Sequence, residues 1–330
     1  MSIVFHERYF DHVQYEGHPE SPERLAVPIK KMLELDVWRE VSRPGPATED
    51  DLMLVHTPEH VRRVRETPEG FLDPDTYLHE ETYEIALLAA GGVIEAARIA
   101  LDCGDPCLAL VRPPGHHAGR DFLGGFCYFN NIAIAARKVG LDRTAIVDID
   151  VHHGNGTEDI FLEDDRVLFI STHQSGIYPG SGDLRTVGRG RGEGYNVNIP
   201  MRGGVGDATY ANAMDRIVEP ILRQYDPGMI LVSIGVDAHY ADPLAGLSLS
   251  SKGYVDICRR LIRLSPGRRI AFVLEGGYAL QATAEVLSAL AGLMCGVEVP
   301  LQQVYSKDVE VLGEDIIASV IGVQRKYWDL

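Results

Sequence analysis

Short apolar runs, rich in β-branched residues, recur along the chain and predict buried strands. Between several of them, apolar residues repeat with helical period, over 210–225 and again over 254–262. Because strands and helices alternate, the pattern predicts an α/β fold with a central, mainly parallel sheet. The predicted strands are 107–111, 144–147, 167–170, 195–199, 229–236 and 269–274.

The predicted helical segments have features that indicate their burial and their ends. The segment 83–101 is apolar almost all round, which predicts a helix buried on most sides. Asp207 is predicted to cap the helix over 210–225, and Pro220 to kink or shorten that helix. No internal repeat, low-complexity tract or Ser/Gly linker interrupts the pattern, so we expect a single domain over 1–330.

The charge and the cysteines narrow the class of protein. The chain has 48 Asp plus Glu against 31 Lys plus Arg and a formal net charge of -17, which disfavours binding to nucleic acid or to an anionic membrane. No stretch approaches the ~20 apolar residues of a membrane span, and the first ten residues do not resemble a secretory signal. The five cysteines form no CxxC pair, which is typical of reduced thiols and predicts a cytoplasmic protein.

Polar side chains follow four of the predicted strands directly. Because the carboxyl ends of parallel strands meet at one edge of a sheet, these side chains are expected to converge on one ligand site. They are His116 and His117 after 107–111, Asp148, Asp150 and His152 after 144–147, Asp237 after 229–236, and Glu275 and Tyr278 after 269–274.

Asp150 and His152 are candidate metal ligands. Residues two apart in a strand point to the same face, so both side chains can reach one ion, and Asp237 can supply a third ligand. Two carboxylates and one histidine make a neutral site with Zn²⁺ and leave a fourth position open for water and substrate. For the pair alone, a helix cap or a local salt bridge is the simpler interpretation; the additional strand-end histidines and Asp237 favour a metal.

The chain resembles a known superfamily at several long motifs. The matching segments run from His18 to Tyr278, and they resemble the histone deacetylase and acetylpolyamine amidohydrolase superfamily, which has an arginase-like three-layer α/β/α fold. Asn155 and the HHGNGT around it are similar to the class II branch and its prokaryotic relatives. The segment 300–330 resembles nothing of known role. The motifs are HPESPERL, RPPGHHA, GGFCYFNN, DIDVHHGNGT, YPGSGD, GVDAHYADPL and LEGGY.

The resemblance implies a role for each residue of the site. Asp150, His152 and Asp237 correspond to the ligands of one catalytic Zn²⁺. His117 corresponds to the general base and His116 to its electrostatic partner. Tyr278 corresponds to the donor that stabilises the oxyanion. The resemblance also implies that Asp148 holds the His116 ring and that Asn155 takes the place of the carboxylate that holds the His117 ring.

The resemblance also implies substrate contacts and structural cations. It implies an acyl-lysine channel lined by Gly125, Phe126 and Tyr178, with Asp75 and Leu244 at the rim, and Arg24 near an interior channel. It implies two structural K⁺ ions as well. The first would lie at the main chain of Asp148, Asp150, His152, Ser171 and Thr172, and the second near Phe161, Val167 and Tyr195.

Together these features predict a zinc-dependent amidohydrolase that removes short acyl groups from acyl-lysine or a related N-acylated amine. Polyamine-selective members of the class II branch carry a Glu seven residues after the last zinc ligand, and Leu244 stands there in this chain. An acetylpolyamine or metabolite deacetylase and a silent acyl-lysine binder are the alternatives. A binuclear ureohydrolase is disfavoured because the segment DIDVHHG offers one Asp-x-His pair, with Asn155 beyond it. The sequence leaves homo-oligomer formation open.

Overall fold

The computed structural model describes residues 1–302 and 313–330. The strands are β1 (Ser2–Val4), β2 (Val41–Ser42), β3 (Gly70–Phe71), β4 (Tyr77–Leu78), β5 (Cys107–Ala109), β6 (Thr144–Asp148), β7 (Val167–Gln174), β8 (Asn196–Met201), β9 (Met229–Ile234) and β10 (Ile270–Leu274). The helices are α1 (Glu23–Glu34), α2 (Glu49–Leu52), α3 (Pro58–Glu66), α4 (Thr82–Cys103), α5 (Asn131–Val139), α6 (Asn155–Phe161), α7 (Asp207–Ala213), α8 (Glu219–Tyr225), α9 (Ser251–Leu264), α10 (Leu280–Cys295) and α11 (Glu314–Gln324).

Within the described residues, eight strands form one sheet in the order β2-β1-β5-β10-β9-β6-β7-β8, and every neighbouring pair is parallel. The six strands predicted from sequence are all present in it, although 167–170 continues to the end of β7 and 229–236 stops at the end of β9. Strands β6, β9 and β10 are buried throughout, because helices cover both faces of the sheet. The predicted three-layer α/β/α fold is confirmed.

Helix α4 is the predicted buried helix, and it packs against α5 and against β1, β5 and β10. At Gly91 the helix approaches the preceding loop so closely that a Cβ atom would lie 2.0 Å from the carbonyl oxygen of Gly45. Helices α1, α9 and α10 pack together in a second group. No helix in the described part of the chain has the length and apolar character that a bilayer crossing needs.

The helix over 207–225 differs from its sequence expectation in two ways. A π turn over Met214–Val218 joins α7 to α8, so the helix continues where Pro220 was expected to kink or shorten it. The wider turn accommodates a proline that has no N–H to donate. The prediction for Asp207 was wrong: Gly206 is the N-cap, and the Asp207 carboxylate instead accepts hydrogen bonds from the backbone N–H and hydroxyl of Ser250, at 2.8 and 2.6 Å.

The segment 300–330, for which the sequence suggested no role, is described in part, because 303–312 lie outside the described residues. Its helix α11 packs on β8, which ends the order of the sheet. Ile317, Val320 and Ile321 are buried there, and the Gln324 side chain donates to the carbonyl of Asn196, at 3.3 Å. The helix therefore covers an edge strand that would otherwise expose unpaired backbone groups.

Candidate active site

A cavity of about 210 Å³ opens beyond the carboxyl ends of β5, β6, β9 and β10, where the sequence predicted a ligand site. Each of these strands is followed by a loop that contributes to the wall. The lining residues are Asp75, Pro114, His116, His117, Gly125, Phe126, Asp150, His152, Tyr178, Leu244, Gly276 and Tyr278.

Asp150, His152 and Asp237 form a cluster at this cavity, with donor atoms that all lie within 4.8 Å of one another. The Nδ1 atom of His152 lies 3.2 Å from Oδ1 of Asp150 and 3.2 Å from Oδ2 of Asp237. The strand geometry expected for the first two residues was wrong, because β6 ends at Asp148. A bend brings them together instead: the His152 N–H donates to Oδ1 of Asp150, at 2.8 Å.

The cluster fits a divalent metal ion. Metal–ligand bonds of ~2.0 Å in a tetrahedral site set neighbouring donor atoms about 3.3 Å apart, close to the two 3.2 Å distances from Nδ1 of His152. Two buried carboxylates side by side also need a cation, and burial together with the Asp150 charge raises the pKa of Asp237. Gly276 makes room for them, since a Cβ atom there would lie 2.1 Å from Oδ2 of Asp237.

Two buried histidines lie beside the cluster, each with its own partner. Nδ1 of His116 lies 3.0 Å from Oδ2 of Asp148, and Nδ1 of His117 lies 2.7 Å from Oδ1 of Asn155. The two imidazole rings are 4.0 Å apart between centroids. One histidine is therefore paired with a carboxylate and the other with a neutral amide.

The surroundings of the two histidines shift their pKa values in opposite directions. Burial lowers the pKa of His116, but the Asp150 and Asp148 carboxylates outweigh it and raise that pKa to about 10. Burial, followed by the charges of His116 and His152, holds the pKa of His117 well below its ordinary value. His117 is therefore the neutral imidazole of the pair, as a general base requires.

Tyr278 reaches the cavity from a main chain that is fixed on both sides. The Arg24 guanidinium lies 5.0 Å from the centre of its ring and donates to the carbonyls of Glu275 and Gly277. On the other side, Oδ2 of Asp242 accepts from the N–H of Tyr278, at 2.7 Å, and from the next N–H, at 3.0 Å. Desolvation raises the pKa of the Tyr278 hydroxyl, so the group remains a donor.

Asp242 was given no role from the sequence, and Glu275 was placed only among the strand-end residues expected at the ligand site. The Glu275 carboxylate accepts from the N–H of Gly115, at 2.7 Å, and of His116, at 3.2 Å, so it fixes the loop that carries the two histidines. Both acids lie inside motifs that the chain shares with the superfamily, GVDAHYADPL and LEGGY. Their positions in these motifs were the signal that could have identified them. Their partners are backbone N–H groups, which no sequence pattern identifies.

The five residues expected along the substrate channel all lie at the cavity. Tyr178 and Leu244 are exposed at its mouth, and the Tyr178 ring lies 5.0 Å from the His117 ring. Oδ1 of Asp75 accepts from the N–H of Gly125, at 3.0 Å, beside Phe126. His153 and His239 do not belong to the metal cluster, and they contact the hydroxyls of Ser181 and Ser251, at 2.7 and 3.3 Å.

The residues expected at cation sites lie in two different places. Ser171 pairs with Asp148 across β6 and β7, and the Thr172 hydroxyl lies 3.4 Å from the Asp148 carbonyl. Phe161 ends α6, Val167 begins β7, and Tyr195 precedes β8, at the end of the sheet away from the cavity. Cation binding at either place stays a prediction.

Comparisons with known proteins agree with this arrangement. A family profile for the histone deacetylase domain matches residues 18–294. A probable deacetylase of Archaeoglobus fulgidus is 42% identical over 310 residues, which cover 88% of this chain and 86% of that protein. Chloroplastic histone deacetylase 10 of Oryza sativa subsp. japonica is 39% identical over 297 residues, 81% of this chain and 67% of that protein. The crystal structure of the HDA15 HD domain matches with a TM-score of 0.91 and 34% identity, over 99% of this chain and 94% of that one.

Proposed function

The chain belongs to the histone deacetylase family of deacetylases, and from that premise we propose that it is a zinc-dependent hydrolase of acyl-lysine side chains. One observation carries the proposal: His117, the cluster of Asp150, His152 and Asp237, and Tyr278 all meet at one cavity. A base, three metal ligands and an oxyanion donor are the groups that amide hydrolysis by water requires.

The roles follow from the contacts of each side chain. Asp150, His152 and Asp237 would hold a zinc ion, which would act as a Lewis acid towards the acyl carbonyl and a water molecule. His117 takes the proton of the attacking water at Nε2, because its Nδ1 is held by Asn155, and then returns that proton to the leaving amine. Tyr278 donates its hydroxyl to the oxyanion that develops at the acyl carbonyl.

The raised pKa of His116 favours its charged form, and that positive charge disfavours a second proton on His117. The reacting carbonyl would then have one charged and one neutral imidazole beside it. Loss of Asn155 is expected to change these protonation states rather than the metal cluster, whereas Asp148 also accepts from the N–H of Asp150, at 3.1 Å.

The walls of the cavity favour an acyl-lysine over a polyamine. Phe126 and Tyr178 offer ring faces to an alkyl chain, and Leu244 at the mouth presents no carboxylate to a distal ammonium group. A lysine side chain carries four methylene groups and has lost its charge on acylation, so it suits an apolar passage. Acetylpolyamines and acetylated metabolites are therefore the weaker candidates.

Several other expectations are proposals too. We propose a structural K⁺ at the main chain around Asp148 and a second one near Phe161, supported by the main-chain position of the residues involved. A single domain over 1–330 and a cytoplasmic location remain predictions from the sequence. The five cysteines are free within the described residues, which agrees with reduced thiols.

A substrate panel tests the proposed function. The zinc-loaded protein is given acetyl-lysine peptides, longer acyl-lysine peptides, acetylpolyamines and acetylated metabolites, and amine or acetate release is measured for each. We expect kcat/KM to be highest for an acyl-lysine peptide. Hydrolysis of acetylpolyamines by a protein that leaves every acyl-lysine peptide intact would contradict the proposed substrate class. No hydrolysis at all would favour a silent binder.

A further inference from the structure

An exposed aromatic cluster lies beside the cavity. It consists of Tyr15, Phe71 and Tyr77, and we call it the aromatic platform. Phe71 is 58% exposed and Tyr15 47% exposed, although both are large apolar side chains. The ring centroids of Phe71 and Tyr77 are 5.1 Å apart, and those of Tyr15 and Phe71 are 5.7 Å apart. Three adjoining rings at the surface form an apolar area that gains free energy when a partner covers it.

The platform is continuous with the wall of the cavity. The Tyr15 ring meets the His18 ring edge-on, at 4.9 Å, and the His18 ring meets the Phe126 ring, at 4.6 Å. Phe126 lines the cavity and faces Tyr278, at 6.1 Å. An unbroken series of rings therefore leads from the oxyanion donor to the platform.

Hydrogen bonds hold the platform in place. The β3–β4 hairpin carries two of the three rings, and it is bonded to the segment that forms the cavity wall. The N–H of Phe126 donates to the Thr76 hydroxyl, at 3.1 Å, and the Tyr128 hydroxyl donates to the carbonyl of Tyr77. Because this hairpin also carries the rim residue Asp75, the rings of Phe71 and Tyr77 have a fixed position relative to the mouth of the cavity.

The charges around the platform are mainly acidic. Glu69 accepts from the Tyr77 hydroxyl, at 2.9 Å, and Asp73 and Asp75 lie in the connection between β3 and β4. Arg63 is the basic group bonded to this hairpin, through the carbonyl of Leu72. An approaching chain with a net positive charge is therefore favoured over an acidic one.

We propose that the aromatic platform binds a large apolar side chain that lies within two residues of the acyl-lysine in a polypeptide substrate. The inference rests on the proposed function, which puts the acyl-lysine in the cavity. An acyl-lysine inserted there leaves its backbone at the mouth, and each extended residue then advances about 3.4 Å along the surface. A polyamine or a small metabolite carries no large apolar side chain that could cover the platform.

Matched peptides and one variant test the proposal. Two acetyl-lysine peptides are identical except that one carries Phe and the other Gly on both sides of the acetyl-lysine, and a capped single acetyl-lysine is the minimal substrate. We expect the zinc-loaded protein to bind and hydrolyse the Phe peptide about three- to tenfold better than the Gly peptide. Phe71→Ser is expected to remove this preference and leave the minimal substrate unaffected. Tyr15→Ser is expected to weaken the preference in the same way.

Leu33→Ser is the matched control, because Leu33 on α1 is also 58% exposed and does not line the cavity. This variant is expected to keep the full preference. Equal Kd values for the Phe and Gly peptides in the unsubstituted protein would overturn the proposal, and so would equal losses in Phe71→Ser on the peptides and on the minimal substrate.

Two further outcomes have separate meanings. If no acetyl-lysine compound is hydrolysed, the proposed function fails. Calorimetric Kd values for the two peptides then still show whether the platform binds the Phe side chain. A concentration-dependent dimer that Phe71→Ser dissociates in sedimentation experiments would identify the platform as a self-association surface and overturn the proposal.

Discussion

The partner of His117 is an amide, and this single residue determines how readily the base takes up a proton. Oδ1 of Asn155 accepts the Nδ1 proton and fixes the orientation of the ring, but it adds no negative charge. A carboxylate at the same position would stabilise the imidazolium form and raise the pKa of His117. The neutral partner therefore extends the pH range in which His117 is a base.

Replacing Asn155 with Asp tests this effect. We expect the acidic limb of the kcat/KM profile to move to higher pH by about one pH unit, because a base with a raised pKa is protonated over more of the acidic range. The measurement is the pH profile of both proteins with one acetyl-lysine peptide and full zinc content. Superimposable acidic limbs would show that Asn155 does not control this proton.

Tyr278→Phe removes the proposed oxyanion donor and leaves the ring in place. The loss of such a hydrogen bond costs about 3 kcal/mol in the transition state, so we expect kcat to fall on the order of 100-fold. Zinc content is expected to stay unchanged, because Tyr278 is not in the metal cluster. Metal analysis and single-turnover rates on the same samples check both expectations, and an unchanged rate would exclude this role.

The loop after β9 connects three parts of the site. Asp237 is in the metal cluster, Leu244 stands at the mouth, and Asp242 between them fixes the backbone of Tyr278 at the start of α10. Oδ1 of Asp242 also accepts from the N–H of Leu244, at 3.0 Å. One carboxylate therefore links the backbone of Leu244 at the rim to the backbone of Tyr278.

Asp242→Asn keeps the shape of that side chain and removes one of its two acceptor oxygens. We expect kcat to fall about tenfold with KM within a factor of two, because a displaced Tyr278 weakens the transition state more than substrate binding. Asp256→Asn, on the exposed surface of α9, is the control. Equal effects of the two substitutions would contradict a positioning role for Asp242.

The elements around the site were predictable to different degrees. Long apolar runs and the residues directly after them identified β6, β9, β10 and the cavity, since burial fixes both pattern and position. The bend at Asp150 and the π turn before Pro220 were not predictable, because they depend on local hydrogen bonds. Strands β1 and β2 have three and two residues, too few for a periodic signal.

Histidines that are buried in the neutral form make the stability of the whole molecule depend on pH. Nδ1 of His56 is bonded to the carbonyl of Gly119, at 2.8 Å, while its Nε2 accepts from the N–H of Asn130, at 2.9 Å. A second proton on the ring, at Nε2, would point at that N–H and break the hydrogen bond. Burial, followed by the His60 charge, lowers the pKa of His56 to about 3. Nε2 of His173 is bonded to the carbonyl of Gly182, at 3.0 Å, its Nδ1 lies 2.9 Å from the Ser171 hydroxyl, and burial lowers its pKa to about 3 as well.

This arrangement predicts a loss of stability in acid. Between pH 6.5 and about 3 the unfolded chain binds a proton at His56 that the folded protein does not, so stability falls as pH decreases. Each such histidine contributes about 1.4 kcal/mol per pH unit. We expect His56→Gln to reduce this slope by one proton in denaturant unfolding of the metal-free protein between pH 5.5 and 4.5. An unchanged slope would show that His56 is protonated in the folded state.

The most direct test of the whole account is a zinc titration of the metal-free protein, with bound zinc and acetate release from an acetyl-lysine peptide measured on the same samples. We expect the rate to rise in proportion to bound zinc and to level off at one zinc per chain. Asp237→Asn should bind zinc weakly and gain little rate. Full hydrolysis by the metal-free protein, or a requirement for two metal ions per chain, would contradict the account.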